Sequence, residues 1–504
     1  MAGRGHPVTG SVPDSTCLRM PTIPCSPDGV SSPRPTAVIG VLASCGLAVS
    51  LMQTLVVPLL PVFPRLLSAS PATVAWLVTA TLVAAAVCAP VMGRLGDMYG
   101  KRRMLLVGLG VVTVGSALGA AAPNIGVLIA ARALQGVAMG VIALGISVMR
   151  DVLPPERVGS GIALMSSSLG IGGAIGLPLT GFVAQQASWR WLFAGAAVLG
   201  AVQFLIVLLV VRESPLRSGG RFDLAGAMGM SAALVCLLLA ISKGNEWGWG
   251  SAAVLGLLVA AGVLFALWVA WELRSRRPLV DLRVSARPAV LWTNVASIAI
   301  GFGMFAGFLV TTQILQAPTA TGYGFGLSLV AAGLVLLPIG GAMTIFSPVS
   351  ARVSRRRGAR TTLVLGATIL ALGNVLMATL PGALPLIVAA STTTAIGAAL
   401  AYSAIPLLIM DAVPPGETAA ANSLNTLMRM LGTSSCSSFV AAIATGLTTS
   451  VAGQTLPAAA AYTVIYLAAA GAAVLGAAIA ALTPRAETAD TLPTTSRASA
   501  ARAA

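Results

Sequence analysis

Two arginines, Arg132 and Arg429, stand inside long apolar stretches of this 504-residue sequence, and no aspartate or glutamate does. A guanidinium stays charged at every relevant pH and carries five N–H donors, so each should face the protein interior or a wet cavity and find a partner. Arg132 lies eight residues into its stretch, about 12 Å deep at helical rise. Arg429 lies about 18 Å from the nearer end of its own. Around it Asn422, Asn425, Thr433 and Cys436 follow spacings of 3, 4, 4 and 3, which puts all five residues on one helix face. Such a stripe reads as a cavity wall or as a hydrogen-bonded packing seam. Two buried cations without a buried acid favour an anionic or zwitterionic ligand over a lipophilic cation.

A second cluster is polar and short: Gly93-Arg94-Leu-Gly96-Asp97-Met-Tyr-Gly100-Lys101-Arg102-Arg103. Its glycines permit a tight turn. Asp97 can cap the helix that follows or pair with the neighbouring arginines, and a cluster of this kind can latch a gate. Gly96 to Lys101 is one residue short of a phosphate loop and lacks its Ser or Thr, so no nucleotide site is expected.

The elements that hold these residues must be membrane helices. Hydrophobic residues make up 57% of the chain and charged residues 9%, with a mean hydropathy of +0.93, against about 25% charged in soluble domains. The net charge of +16 would suggest nucleic acid in a soluble protein. Here the basic residues sit in small groups between apolar runs, so no nucleic-acid partner is expected and the lipid bilayer is. Six cysteines without paired or metal-like spacing, and a single histidine, His6, in the amino-terminal tail, leave no expected disulfide, metal or cofactor. No catalytic constellation is present, so an enzyme is not expected.

Runs able to cross a hydrocarbon core of about 30 Å occur at 37–58, 72–92, 103–122, 125–148, 158–184, 191–212, 224–242, 252–272, 288–315, 327–349, 361–380, 384–409, 418–447 and 459–482. The Pro-rich residues 1–36 and the stretch 483–504 read as disordered tails. Fourteen spans put both tails on one side. Placing them in the cytoplasm assigns 25 of the 30 Arg and Lys residues inside and leaves Arg65, Arg190 and Lys243 outside, as the positive-inside rule requires. A multi-pass protein of the plasma membrane, monomeric, is the expectation.

An internal repeat is visible. Pro90, Val91, Arg94 and Gly100 recur as Pro348, Val349, Arg352 and Gly358 at an offset of 258, and Asp151-Val-Leu-Pro-Pro155 recurs as Asp411-Ala-Val-Pro-Pro415 at 260. Two motifs at nearly one offset argue for a duplicated six-helix unit, 37–212 and 288–482, with 213–287 as an inserted helix pair and its linkers. A substrate site is then expected near the midplane between the halves.

The 93–103 loop resembles the signature of the major facilitator superfamily, and three further segments agree. Arg132-Ala-Leu-Gln135-Gly136 matches the family's fourth-helix motif. Gly172, Gly176, Pro178 and Gly181 resemble the fifth-helix antiporter motif, with Leu177 at a place where the family has Gly-Pro. Ser188-Trp-Arg-Trp-Leu-Phe193 and Phe222-Asp-Leu-Ala-Gly226 are similar to segments of the fourteen-helix drug:proton antiporters.

The resemblance implies an all-α fold of two six-helix bundles plus two inserted helices, and export of small amphipathic molecules by proton antiport. It implies a gate motif at Gly93, Arg94, Gly96, Asp97, Gly100, Lys101 and Arg102, a coupling arginine at Arg132 with Gln135, and a tight helix seam at Gly172, Gly176, Pro178 and Gly181. The family's first helix carries an acid that can pair with that arginine, whereas this chain has Met52. Gln53, Thr54, Gln135, backbone carbonyls or the substrate must then satisfy Arg132. Gln53, Thr54, Asn422 and Asn425 are the expected cavity residues beside Arg429. Proton carriers reduce to Asp97, Asp151 and Asp223 or the substrate itself. A uniporter or importer of an anionic metabolite, or a membrane sensor that no longer transports, remain open, the last because Arg355 replaces Asp97 in the second copy.

Overall fold

The computed structural model describes residues 1–3, 35–56, 59–60, 62–219, 221–275, 278–379, 382–451 and 454–483. The two tails, with His6, Cys17 and Cys25, otherwise lie outside the described residues. Among the described residues, fourteen helices are long and apolar enough to cross a membrane. In chain order they are α1 (Pro35–Thr54), α2 (Ala72–Tyr99), α3 (Lys101–Ala120), α4 (Ile125–Val152), α5 (Pro155–Val183), α6 (Arg190–Val210) and α7 (Leu224–Trp247). There follow α8 (Ala252–Arg274), α9 (Pro288–Gln316), α10 (Leu329–Arg357), α11 (Ala359–Ala378), α12 (Leu384–Ala412), α13 (Pro415–Gly446) and α14 (Ala459–Leu482).

Polar side chains next to the apolar runs set many of the starts. Ser70, Asn124, Asp223, Ser251 and Ser328 each accept a hydrogen bond from a backbone N–H in the first turn, satisfying donors that a helix cannot satisfy internally. The short link at Pro123 and Asn124 is therefore a true boundary. Gly100 (φ +119°) and Gly358 (φ +87°) occupy the same position in the α2–α3 and α10–α11 turns. The duplicated sequence thus carries a duplicated backbone conformation.

Three details differ from the sequence reading. The α1 helix ends at Thr54 and not at 58. The fourth span is two helical pieces, Ile125–Gly136 and Met139–Val152, joined by tight i to i−3 bonds at Val137 and Ala138. Between α13 and α14 the chain forms a small antiparallel hairpin, Thr448–Val451 with Gln454–Pro457, in which Ser450 pairs with Thr455. Helical periodicity is blind to a one-turn break inside an apolar run and to a four-residue strand.

The first six helices pack among themselves, as do the last six, with α1 against α5, α3 against α6, α9 against α13 and α14, and α11 against α12 and α14. The two sets meet along α2–α13 and α5–α10. The inserted α7 pairs with α8 and lies against both α2 and α13. At that end Asn245 and Ser438 bond α7 to α13, while Lys243 donates to the carbonyl of Ala72 and lies 5.0 Å from the Trp76 ring centroid.

Candidate functional site

A cavity of about 300 Å³ lies between the two sets of helices, with lining from α1, α2, α4 and α5 on one side and α9, α10, α12 and α13 on the other. Its wall is largely apolar, from residues such as Met304, Phe305, Phe308 and Met343. Among the described residues the charged lining side chains are Arg132 and Arg429, and no carboxylate lines the cavity.

Arg132 is buried and its donors have neutral partners. Nη1 donates to the Met52 carbonyl at 3.0 Å and to Gln135 Oε1 at 2.8 Å, and Nε donates to the Leu77 carbonyl at 3.3 Å. Gln135 is held in turn by donating to Ser116 Oγ at 2.9 Å. Position 52 therefore still serves the arginine, through its backbone. Gln53 and Thr54 line the cavity but bond elsewhere, Gln53 to Met139 Sδ and Thr54 to carbonyls of its own helix. Gly136 lets α4 approach the Thr81 carbonyl and Ala85 N–H of α2, which brings Arg132 to the cavity edge beside the break in α4.

The stripe on α13 divides. Arg429 and Thr433 line the cavity. Asn422 and Asn425 do not, which corrects the expectation that they form its wall. Asn422 donates to the Thr418 carbonyl, and Asn425 donates to Asn294 Oδ1 at 2.9 Å and Ser297 Oγ at 2.8 Å on α9. They form a packing seam, and Cys436 is likewise buried in the core. Tyr402 on α12, which sequence reasoning missed, lies under Arg429 with its ring centroid 5.0 Å from the guanidinium carbon. It is one of five tyrosines, and a tyrosine in mid-span was the available signal.

The 93–103 cluster joins the two halves at the basic end. Asp97 is wholly buried and does not cap the following helix α3. It accepts instead from the backbone N–H groups of Ala419 (3.3 Å) and Ala420 (2.8 Å) at the start of α13, in the other half. A carboxylate at a helix N-terminus is favoured by the free N–H groups and the helix dipole. Lys101, also buried, lies 2.6 Å from Asp151 Oδ2, 3.6 Å from Asp97 Oδ1 and 3.0 Å from Thr418 Oγ1. Gly93 and Gly96 leave room for Ala419 and Ser423 of α13 and for Leu144 of α4. Arg94 is half-buried, and Arg102 donates to the Leu208 carbonyl at 2.6 Å.

The linker after α6 completes this latch. Glu213 caps α3 by accepting from the N–H groups of Arg102 (3.0 Å) and Arg103 (3.2 Å). Ser214 donates to Asp151 Oδ2 at 2.6 Å, and the Ser218 N–H donates to the Asp97 carbonyl at 2.7 Å. A Cβ on Gly100 would lie 2.6 Å from the Glu213 carboxylate, whereas one on Gly358 would meet nothing within 4 Å. Both positions demand a backbone that costs other residues about 1–3 kcal/mol. Gly100→Ala is therefore expected to lower the unfolding temperature in detergent more than Gly358→Ala, because it also displaces the α3 cap. Equal shifts would remove the capping role of Glu213.

In the second copy Arg355 stands where Asp97 stands in the first, and it donates to the Glu156 carbonyl at 3.3 Å near the start of α5. The contact again crosses between the halves at a helix start. The donor and acceptor roles are exchanged, and the contact is a single exposed bond where Asp97 is buried and accepts two.

The fifth-helix motif serves two neighbours. Gly172 and Gly176 abut Ser50 and Thr54 of α1. Pro178, inside α5, abuts Gly333 of α10, and Gly181 abuts Leu329 and Val330. One half of the motif thus packs within its own set of helices and the other half packs across the interface.

This architecture and these motifs have known counterparts. In sequence the chain is 29% identical to multidrug resistance protein Stp of Mycobacterium tuberculosis over 71% of its length and 66% of that protein. It is 30% identical to the tetracenomycin C resistance and export protein of Streptomyces glaucescens over 66% of its length and 61% of that protein. The matched part is therefore just under two thirds of each relative. In fold it is similar to the human organic anion transporter MFSD10, with a TM-score of 0.63 and 16% identity over 89% of this chain and all of that one. A proton:xylose symporter, XylE, gives a TM-score of 0.61 at 13% identity, over 89% and 96%. The family model described as Major Facilitator Superfamily matches residues 42–437, a span that holds the latch, both cavity arginines and the α5 seam, and the chain belongs to that superfamily.

Proposed function

We propose that this protein is a secondary transporter that exports small amphipathic molecules across the plasma membrane by alternating access, in exchange for protons. The observation that carries this reading is the midspan cavity built jointly by both halves, together with bonds that run between those halves at the basic end. Such bonds break and re-form when the halves rock. The positive-inside asymmetry supports an orientation with the latched end and both termini in the cytoplasm. Residues 37–212, 213–287 and 288–482 act as first half, insert and second half. The two relatives named for drug resistance and export support the outward direction, and the protein works as a monomer.

Proton coupling in this reading runs through the latch. Asp97 and Asp151 are both fastened in it, and protonating Asp97 would weaken its two bonds to α13, linking proton occupancy to opening of that end. Asp223 caps α7 and accepts from the Trp271 indole, away from the cavity, and serves less well. The Arg355 contact supports transport over a sensor that has lost it, since the second copy still makes a bond between the two halves, though an exposed one. Proteoliposomes holding the full chain and loaded with an amphipathic dye should accumulate or release it faster under an imposed pH gradient. Flux indifferent to the gradient would remove the antiport step, and no flux at all would remove transport.

A further inference from the structure

The two cavity arginines are in different states. Arg132 has donors engaged by Met52, Leu77 and Gln135. The Arg429 side chain makes no hydrogen bond or ion pair among the described residues, and its Nη2 is buried without a partner. It is nonetheless fixed in place. Gly301 of α9 packs against its carbonyl oxygen and Cγ, and the guanidinium carbon sits over the Tyr402 ring, 5.0 Å from its centroid, a cation–π contact that uses none of the hydrogen-bond donors.

A buried donor without an acceptor is a standing cost that an arriving acceptor relieves. The cavity draws no acid from the described residues, so a cationic ligand meets two like charges and an anionic one meets two opposite charges. Phe305, Phe308, Met304 and Met343 on the same wall suit an apolar body. A volume of about 300 Å³ is at the small end for ligand pockets.

We propose that Arg429, held over the Tyr402 ring, is an anion subsite, and that the cargo is an amphipathic organic acid, a carboxylate or sulfonate on a compact apolar body. This rests on the reading of the same cavity as the transport site.

The test uses the full chain in lipid nanodiscs, titrated with three probes of one shape: 2-naphthoate, naphthalene-2-sulfonate and 2-naphthylmethylammonium. Both anions are expected to bind at least about 10-fold more tightly than the ammonium. Arg429→Gln should weaken the anions by about 10- to 100-fold, the worth of a charge-assisted bond, and bind the ammonium no more weakly than wild type does, since one like charge is gone. Tyr402→Phe keeps the ring face and should bind like wild type. Tyr402→Leu and Arg429→Lys should each weaken the anions several-fold, and they carry the test if thermal unfolding shows that Arg429→Gln does not fold. Anions that bind no better than the ammonium, or that ignore all three weakening variants, overturn the subsite. The proteoliposome assay separates the two readings. Movement of the ammonium or of neutral 2-naphthylmethanol but of neither anion sinks the subsite and leaves export standing. Anion binding with no movement of any probe sinks export and leaves the subsite.

Discussion

Lys101→Met is expected to be the most damaging single substitution at the latched end, lowering stability by about 3 kcal/mol or more. The lysine is wholly buried, and its ammonium is the cation shared by Asp97 and Asp151. Removing one partner of a buried ion pair costs about 3–5 kcal/mol because the other charge is left uncompensated. Here two carboxylates are left, although each keeps support: Asp97 from the Ala419 and Ala420 N–H groups and Asp151 from the Ser214 hydroxyl. That support places the effect toward the lower part of the range. Part of the loss should fall on the closed arrangement itself, since Lys101 also bonds Thr418 of α13.

Thermal unfolding in detergent, together with disulfide trapping between cysteines placed at the ends of α2 and α13, would read both effects. A second variant sharpens the assignment. Lys101→Met with Asp151→Asn removes one of the stranded charges and should recover about 1–2 kcal/mol. A double variant no more stable than the single one would show that the lysine acts by packing alone.

The second large effect is steric. On Gly333 a Cβ would lie 2.6 Å from Pro178 Cδ, 2.7 Å from its nitrogen and 2.9 Å from its Cα. None of these atoms can swing aside, because they belong to a ring fused to the α5 backbone. Gly333→Val must therefore push α10 off α5, at a cost of about 1–3 kcal/mol for overpacking. Because α5 and α10 belong to opposite halves, the strain falls on this particular arrangement and not on either half alone. A shift of about 10- to 100-fold in the balance between transporter conformations follows from that energy.

Gly341, in the same helix, has nothing within 4 Å of its Cβ position, so Gly341→Ala is the matched control and should change stability by less than about 0.5 kcal/mol. Spin-label distances between α5 and α10 should lengthen in Gly333→Val and not in the control. A Gly333→Val protein with wild-type distances and stability would show that the seam is looser than this packing implies.

The spanning helices were legible in the sequence because their cause is local. A run of about twenty apolar residues has no other stable solution in a bilayer, and capping side chains such as Asn124 mark the ends even where the link is two residues long. The duplication was legible for the same reason, since Gly100 and Gly358 answer one local backbone demand. The break at Val137 and Ala138 left no comparable mark, because neither residue is a helix breaker and the turn serves the fit of Gly136 against α2.

Spacing placed Asn422, Asn425 and Arg429 on one face of α13, and by itself it determined no more than that. A helix face is wide enough to touch two neighbours, and the crossing of α9 decided that the asparagines bond Asn294 and Ser297 while Arg429 reaches the cavity one turn further on. Asp97 makes the same point. Its sequence neighbours suggested a cap for α3 or an arginine partner. The fold instead gives it the start of α13, 322 residues away, and hands the α3 cap to Glu213. Sequence alone determined the membrane as solvent, the fourteen helices, their duplication and the two buried arginines, since hydropathy and periodicity act within one segment. Only the tertiary structure decided which arginine is satisfied and which is free, because a hydrogen-bond partner is chosen by where distant helices cross.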